Sequence, residues 1–418
     1  MYGGHITDYF DRRTNNTYLS VILSPEIMKK SELAPKLASP DPKAWQYDDY
    51  LNLINKELPP ESPLIYGLHP NAEIGFLTTK TESLFNTILR LEVGSGGGDG
   101  GSAGSTTALV RETLNDLMER CPDTTNMVVL GDRASPRLAD EDGPFVVVVL
   151  QECTLINALL TEMKNSMEEL QKGMNGQLNM SQRMENMFEC LLINQVPGRN
   201  PFHLCSWERL AWASRKFLLS WFGDLLLRRA QLEDWTHSLQ LPYSIWLPGL
   251  MNPTSLLTAV KQVTARKNKL PLDNMSLDTH VTRMYRKTDA ETTGVYPDDG
   301  VYVHGLMMEG ARWTDEEESG DDVYTEGNVT CAGTLVESRL KQLLDPMPLI
   351  YVRAVEVQPE WSPQSVGYVR NNPELYECPV YTTSARGHTF VFLATLKSVD
   401  PTHKWVLAGV ALLMQSDD

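Results

Sequence analysis

Ile156-Asn-Ala-Leu-Leu-Thr-Glu-Met-Lys-Asn-Ser-Met-Glu-Glu-Leu-Gln-Lys-Gly-Met174 decides how the middle of this 418-residue chain folds. Ile156, Leu159, Met163, Met167, Leu170 and Met174 follow one another at spacings of 3, 4, 4, 3 and 4. That spacing lays six apolar side chains along one helix face, which other elements must cover. Gly173 and Gly176 end the helix. Upstream, the β-branched run Phe145–Leu150 reads as a strand. Downstream, Asn179 with Gln182 predicts the cap of a helix carrying Met184, Met187, Phe188 and Leu191. Ser206, with Glu208 in the first turn and Arg209 leaving the capping box incomplete, predicts a third helix. Leu210, Ala213, Phe217, Trp221 and Leu225 mark one of its faces, while Trp212, Leu219 and Leu227 fall elsewhere, so it reads as a buried central helix. Asn252-Pro253 opens a fourth helix and Pro271 stops it.

The pattern changes on both sides of this helical stretch. From about Leu277 onward the chain shows short β-branched and aromatic runs separated by Pro, Gly and Asp. These are Val301–Leu306, Leu349–Val355, Cys378–Thr382, Thr389–Leu393 and Trp405–Leu412, which predict a small antiparallel sheet or barrel. Before the helical stretch, Thr79 and Glu82 form a capping box ahead of Leu84, Phe85, Ile88, Leu89 and Leu91 at helical spacing. That helix runs into Gly94–Gly104, where seven of eleven residues are glycine, a composition that cannot bury a core and reads as a flexible linker. The fold class is therefore α+β, with segments 1–93, 94–106 (linker), 107–275 (helical) and 276–418 (β).

Composition excludes several functions. Lys+Arg 37 against Asp+Glu 54 leaves a net charge of −17, which repels phosphate backbones and disfavours a nucleic-acid partner. No uninterrupted apolar run reaches the roughly 18–20 residues of a membrane span. The opening Met-Tyr-Gly-Gly-His-Ile-Thr-Asp lacks the parts of a signal peptide, so a soluble, cytoplasmic protein without a membrane partner is expected. Cys121, Cys153, Cys190, Cys205, Cys331 and Cys378 are scattered without CxxC or zinc spacing and read as small buried hydrophobes. Sequons at Asn15, Asn179, Asn274 and Asn328 then carry no meaning.

Each chemical motif fails on context. Gly96, Gly98 and Gly101 fit GxGxxG, but a helix precedes them where a strand is required. Gly100-Gly-Ser-Ala-Gly104 fits GxSxG, but a linker cannot hold the strained turn of a nucleophile elbow. Gly-Lys occurs nowhere, so no P-loop is present. The acidic run Asp315, Glu316, Glu317, Glu318, Asp321, Asp322 and Glu326 lacks EF-hand spacing and reads as a solvated loop. His5, His69, His203, His237, His280, His304, His388 and His403 are dispersed without HExxH. His304 and His388 lie in or beside strand-like segments that the fold can bring together, but structural roles are the expectation for all of them. Trp207, Trp212, Trp221, Trp235 and Trp246 fall within forty residues and read as helical core rather than a ligand groove. No catalytic, cofactor-binding or metal-ligating residue is nominated.

Several phrases nevertheless resemble one family in its own order along the chain. Tyr2-Gly-Gly-His-Ile-Thr-Asp8 with Asp11-Arg12-Arg13, Tyr66–Leu77, Leu241–Pro253, Val303–Trp313, Tyr376–Tyr381 and Trp405–Leu412 are similar to the C-terminal end of dynein heavy chains. The opening phrase resembles an axonemal outer-arm chain of β type. The Gly linker and the acidic insert near Asp315 depart from the usual pattern, where length variation is cheap. The resemblance implies that 1–93 is the end of a sixth AAA+ module with its small helical subdomain, and that 107–275 and 276–418 are the helical and β-barrel parts of the C-terminal domain. It implies a ciliary or flagellar microtubule motor, with ATP and magnesium handled elsewhere in the ring and microtubules bound through a stalk outside this chain. Expected partners are the remaining AAA+ ring and other heavy, intermediate and light chains; no cofactor is expected here. The motor is an ATPase by resemblance, yet no catalytic motif lies in this chain. The role expected is mechanical: bridging ring modules, with the Met seam and Leu241–Pro253 as ring-facing candidates. Two alternatives stay open, a docking platform for accessory chains and an independent enzyme with a pocket among the Trp-rich helices.

Overall fold

The computed structural model describes residues 4–22, 25, 32–34, 37–38, 44–58, 62–63, 70–95, 102–198, 207–293, 299–314, 333–337, 344–370 and 372–414. The N-terminal portion contains α1 (Tyr9–Ile22), a ribbon of β1 (Glu32–Ala34) and β2 (Leu37–Ala38), α2 (Tyr47–Asn52) and α3 (Pro70–Ser95). Helix α3 starts nine residues before the expected capping box, because Pro70 suits a first helical turn. Inside it, Thr81 satisfies its hydroxyl on the Leu77 carbonyl. Gly94 and Ser95 belong to α3, and α4 (Ser102–Arg120) begins within the expected linker; residues 96–101, with Gly96, Gly98, Gly100 and Gly101, lie outside the described residues.

A helical layer follows: α4, α5 (Met127–Ala134), α6 (Gly143–Met174), α7 (Gln182–Leu192), α8 (Trp207–Leu210), α9 (Leu218–Ser238) and α10 (Pro253–Asn268). The expected strand at Phe145–Leu150 is the first two turns of α6. Pro144 starts the helix, and Val146, Val148 and Val149 are buried by neighbouring elements, so packing overrides β propensity. Among the described residues α6 is the one helix long and apolar enough to cross a membrane, and it is mostly buried among α4, α5, α7, α9 and α10. Ser181, not Asn179, caps α7 by accepting from Met184 N–H. The expected continuous helix from Ser206 is two, α8 and α9, with Ser206 itself outside the described residues. Asn194 explains the second start: its carbonyl accepts from Leu218 N–H at 2.9 Å and its side chain from Leu219 N–H at 3.2 Å.

The β portion comprises β3 (Ile245–Trp246), β4 (Met275–Val281), β5 (Val301–His304), β6 (Met307–Glu309), β7 (Ala311–Thr314), β8 (Thr334–Glu337), β9 (Leu344–Pro346), β10 (Ile350–Glu356), β11 (Ser362–Gln364), β12 (Gly367–Val369), β13 (Leu375–Tyr381), β14 (Phe390–Lys397) and β15 (Ala411–Leu413), with α11 (Lys287–Thr293) and α12 (Thr402–Leu407). Trp405–Leu412, expected as one strand, is the end of α12, a left-handed Gly409 and the start of β15. Pro401 sets the helix start there, and Trp405 Nε1 donates to Ser398 Oγ at 2.6 Å. The two main sheets run β3-β5-β10-β4 and β14-β13-β15-β6-β9. They are mixed rather than antiparallel, since β3 pairs β5 and β13 pairs β15 in parallel. Among the described residues neither sheet closes into a barrel. One continuous apolar core runs from Val110 in α4 through the helical layer to Met414 after β15.

Candidate functional site

The N-terminal helix meets the β portion at a small, polar and aromatic junction. Asp8 Oδ1 accepts the N–H groups of Phe10 (2.8 Å) and Asp11 (3.0 Å), which fixes the start of α1. Phe10 and Arg13 then share a helix face. The Phe10 ring sits 5.2 Å from Phe390 and 6.1 Å, edge-on, from Tyr381. Arg13 donates to the Glu377 carbonyl at 2.8 Å and to the Tyr376 hydroxyl at 3.4 Å. Its guanidinium lies over the Phe10 and Tyr376 rings at 5.2 and 5.4 Å. Each such contact is worth on the order of 1 kcal/mol.

The receiving surface is built without help from α1. Tyr376 donates to the Val410 carbonyl at 2.8 Å. Arg386, at φ 55, donates to Glu309 and to the Gly409 carbonyl, both at 2.6 Å. Burial works against its charge, but Glu309 outweighs that and holds the guanidinium above its ordinary value. Burial raises the Tyr376 and Tyr381 phenols and pushes the Cys378 thiol up to about 12, which leaves that cysteine inert. A cleft of about 470 Å³ remains between α1 and this surface, lined by Asp11, Arg13, Tyr381, Arg386, His388 and Val410 among others. The phrases Asp11–Arg13, Tyr376–Tyr381, Val303–Trp313 and Trp405–Leu412 all contribute residues here.

A second knot lies inside the helical layer. Glu152 on α6 is fully buried and accepts from the N–H groups of Met251 and Asn252, just ahead of α10. Arg228 on α9 is also fully buried; it donates to the Leu250 carbonyl at 3.0 Å and stacks 3.8 Å above Trp212. Trp212 in turn stacks on Trp221 at 5.0 Å, and Trp207 on Trp221 at 6.1 Å. Burial raises the Glu152 carboxyl and lowers the Arg228 guanidinium, while their mutual charge opposes both effects. Gln231 clasps the Trp246 backbone by accepting from its N–H at 2.8 Å and donating to its carbonyl at 3.1 Å. The Trp246 ring fills the space beside Gly249 and Gly305. A third knot gathers Arg353, Arg370 and His280 on buried Asp278. Burial alone would raise that carboxyl, but the His280 hydrogen bond and the two arginines hold it well below its usual range.

Of the five tryptophans expected as core, Trp207, Trp212, Trp221 and Trp235 are buried, while Trp246 is half-buried. The two ring-facing candidates are corrected. Met163, Met167, Leu170, Met184 and Met187 are buried, as are Ile245, Leu247, Leu250 and Pro253, so these apolar residues fill the protein's own core. His304 on β5 and His388 at the α1 junction occupy separate sites, and His5, His237 and His403 are exposed. His69, His203 and the acidic run from Asp315 to Glu326 lie outside the described residues. No group of three His, Cys, Asp or Glu among the described residues is arranged to hold a metal. Sequence reasoning missed Glu152, Arg228, Asp278 and Arg386, although the first two stand inside apolar helical seams where a charge is out of place.

Comparison with known proteins agrees with this architecture. Residues 1–72 match the AAA lid domain of the dynein heavy chain, and residues 78–414 match its C-terminal domain. The chain is 40% identical over 415 residues to human "Dynein axonemal heavy chain 9" and to "Dynein beta chain, ciliary" of Tripneustes gratilla. It is 42% identical over 434 residues to "Dynein alpha chain, flagellar outer arm" of Chlamydomonas reinhardtii. These matches cover 99% to 100% of this chain but 8% to 9% of each relative. The chain belongs to the dynein heavy chain family, as the C-terminal part of an axonemal heavy chain.

Proposed function

We propose that this chain is the terminal structural portion of an outer-arm heavy chain of β type, in a ciliary or flagellar microtubule motor driven by ATP. The relatives named for the axoneme, the ciliary β chain and the flagellar outer arm support that placement in the cytoskeleton. Residues 1–93 are read as the end of the sixth AAA+ module, and 107–275 and 276–418 as the helical and β parts of one C-terminal domain. ATP and magnesium act elsewhere in the ring, and microtubules are met through a stalk outside this chain. The partners proposed are the rest of the ring and the other heavy, intermediate and light chains. The strong negative charge fits a scaffold that does not itself touch the acidic track.

The role proposed is to couple the lid segment to the C-terminal domain, so that the domain limits how ring modules shift. The observation that carries it is α1 packed on α12 and seated on β13 and β14 through Phe10 and Arg13. The test is a full-length heavy chain truncated after about Leu277, compared with wild type in ATPase and microtubule-gliding assays. Altered gliding with ATP turnover retained supports coupling. Unchanged gliding with accessory chains lost would instead favour a docking platform. The purified 418-residue chain is expected to show no ATPase above background and no pelleting with microtubules; robust turnover would overturn the reading.

A further inference from the structure

We propose that α1 is a releasable latch, a helix of the lid segment that docks on the β portion through Phe10 and Arg13 and leaves it without unfolding either side. Three observations carry this. First, from Tyr9 to Val21 every α1 residue is half-buried or exposed, and none belongs to the continuous apolar core. An element that gives the core nothing costs it nothing on leaving. Second, the receiving surface is largely satisfied without α1: Tyr376 keeps Val410, and Arg386 keeps Glu309 and Gly409. Third, the fit is loose. A cleft of about 470 Å³ lies between the helix and its seat, and α1 alone among the described elements before Ser95 packs substantially on the rest of the chain, against α12.

The docking face is also chemically asymmetric. Arg13 is a single charge-bearing contact, so its geometry decides whether the helix is seated, while the aromatic rings of Phe10, Tyr381 and Phe390 supply adhesion with little directional demand. Such an interface has two discrete states, docked and free, with little penalty for either, and so responds to modest pulling from the lid side. The inference rests on the coupling reading above, since a latch matters only if the lid segment moves.

The experiment is hydrogen exchange by mass spectrometry on the full-length heavy chain, with Arg13→Gln and Phe10→Ala as separate variants. Peptides spanning 9–21 are expected to exchange at least tenfold faster in either variant, while peptides from β13, β14 and α12 keep wild-type protection. Unchanged protection of 9–21 in both variants would overturn the latch. So would joint loss of protection in α1 and β13, which would make α1 part of the β fold. The readout is independent of gliding, so a failed coupling assay leaves this outcome intact and the reverse also holds.

Discussion

The hydroxyl of Thr279 on β4 donates to the Thr395 carbonyl at 3.2 Å and accepts the Thr395 N–H at 2.6 Å, so one side chain satisfies both backbone groups of a residue on β14. This bond joins the facing edges of the two main sheets where a strand-to-strand ladder would otherwise run. Thr279 is 3% exposed, so no water replaces it easily. Thr279→Val keeps the shape and removes the bonds, leaving both backbone groups of half-buried Thr395 unpaired. A loss of about 2 kcal/mol is expected, read as a lower urea midpoint, with Thr279→Ser recovering most of it. Equal stability of the Val and wild-type proteins would show that the sheets do not depend on this stitch.

The same region shows what was legible beforehand and what was not. The strands at Val301, Leu349, Cys378 and Thr389 announced themselves by β-branched and aromatic runs. Strand β4, Met-Ser-Leu-Asp-Thr-His-Val, did not, because its polar residues are spent on Asp278's arginines and on Thr395, partners far away in sequence. Barrel closure was equally out of reach, since it depends on how two sheet edges meet. In the helical layer the Met seam was readable from spacing alone. Its true length was not, because a Val run that favours strands is held helical by the burial of Val146, Val148 and Val149.

Glu152 and Arg228 were legible in retrospect. Val149, Glu152, Ile156, Leu159 and Met163 step by 3, 4, 3 and 4, and Trp221, Leu225, Arg228, Leu232 and Trp235 by 4, 3, 4 and 3. Each charge therefore sits in the apolar seam of its helix. Arg228→Ala strips the stack from Trp212 and leaves buried Glu152 less compensated, so a loss of about 3–5 kcal/mol is expected in chemical denaturation. Arg228→Lys should recover little, because an ammonium cannot lie flat on the indole. A Lys variant as stable as wild type would show that charge alone matters there.

Two left-handed glycines separate backbone strain from steric contact. Gly305 has φ +87, and a Cβ there would meet Trp246 Cδ1 at 2.4 Å; Gly367 has φ +122 with nothing within 4 Å. Gly305→Ala is expected to cost at least about 3 kcal/mol, since the Trp246 ring is also confined beside Gly249. Gly367→Ala pays only the conformational term, about 1–2 kcal/mol. Differential scanning of both variants reads the gap, and equal shifts would mean that Trp246 swings aside.

His304 sets an acid limit on stability. Its Nδ1 is buried without a hydrogen-bond partner among the described residues, and burial, helped by the charge of Lys287, lowers its pKa from 6.5 to about 4. Between those values the unfolded chain holds a proton that the folded chain refuses. The stabilisation is therefore complete above about pH 6.5, drains away as pH falls through the window, and levels off below about 4, for a total of about 3 kcal/mol at most. Asp278, held below its ordinary value, acts only at still lower pH, and Glu152, held above its own, works in the opposite sense. His304→Gln cannot titrate, so its urea midpoint should change far less between pH 7 and 4 than that of wild type. An equally steep fall in the variant would assign the acid limb to other groups, and a proton resonance of His304 titrating near 6.5 in the folded protein would remove its cause.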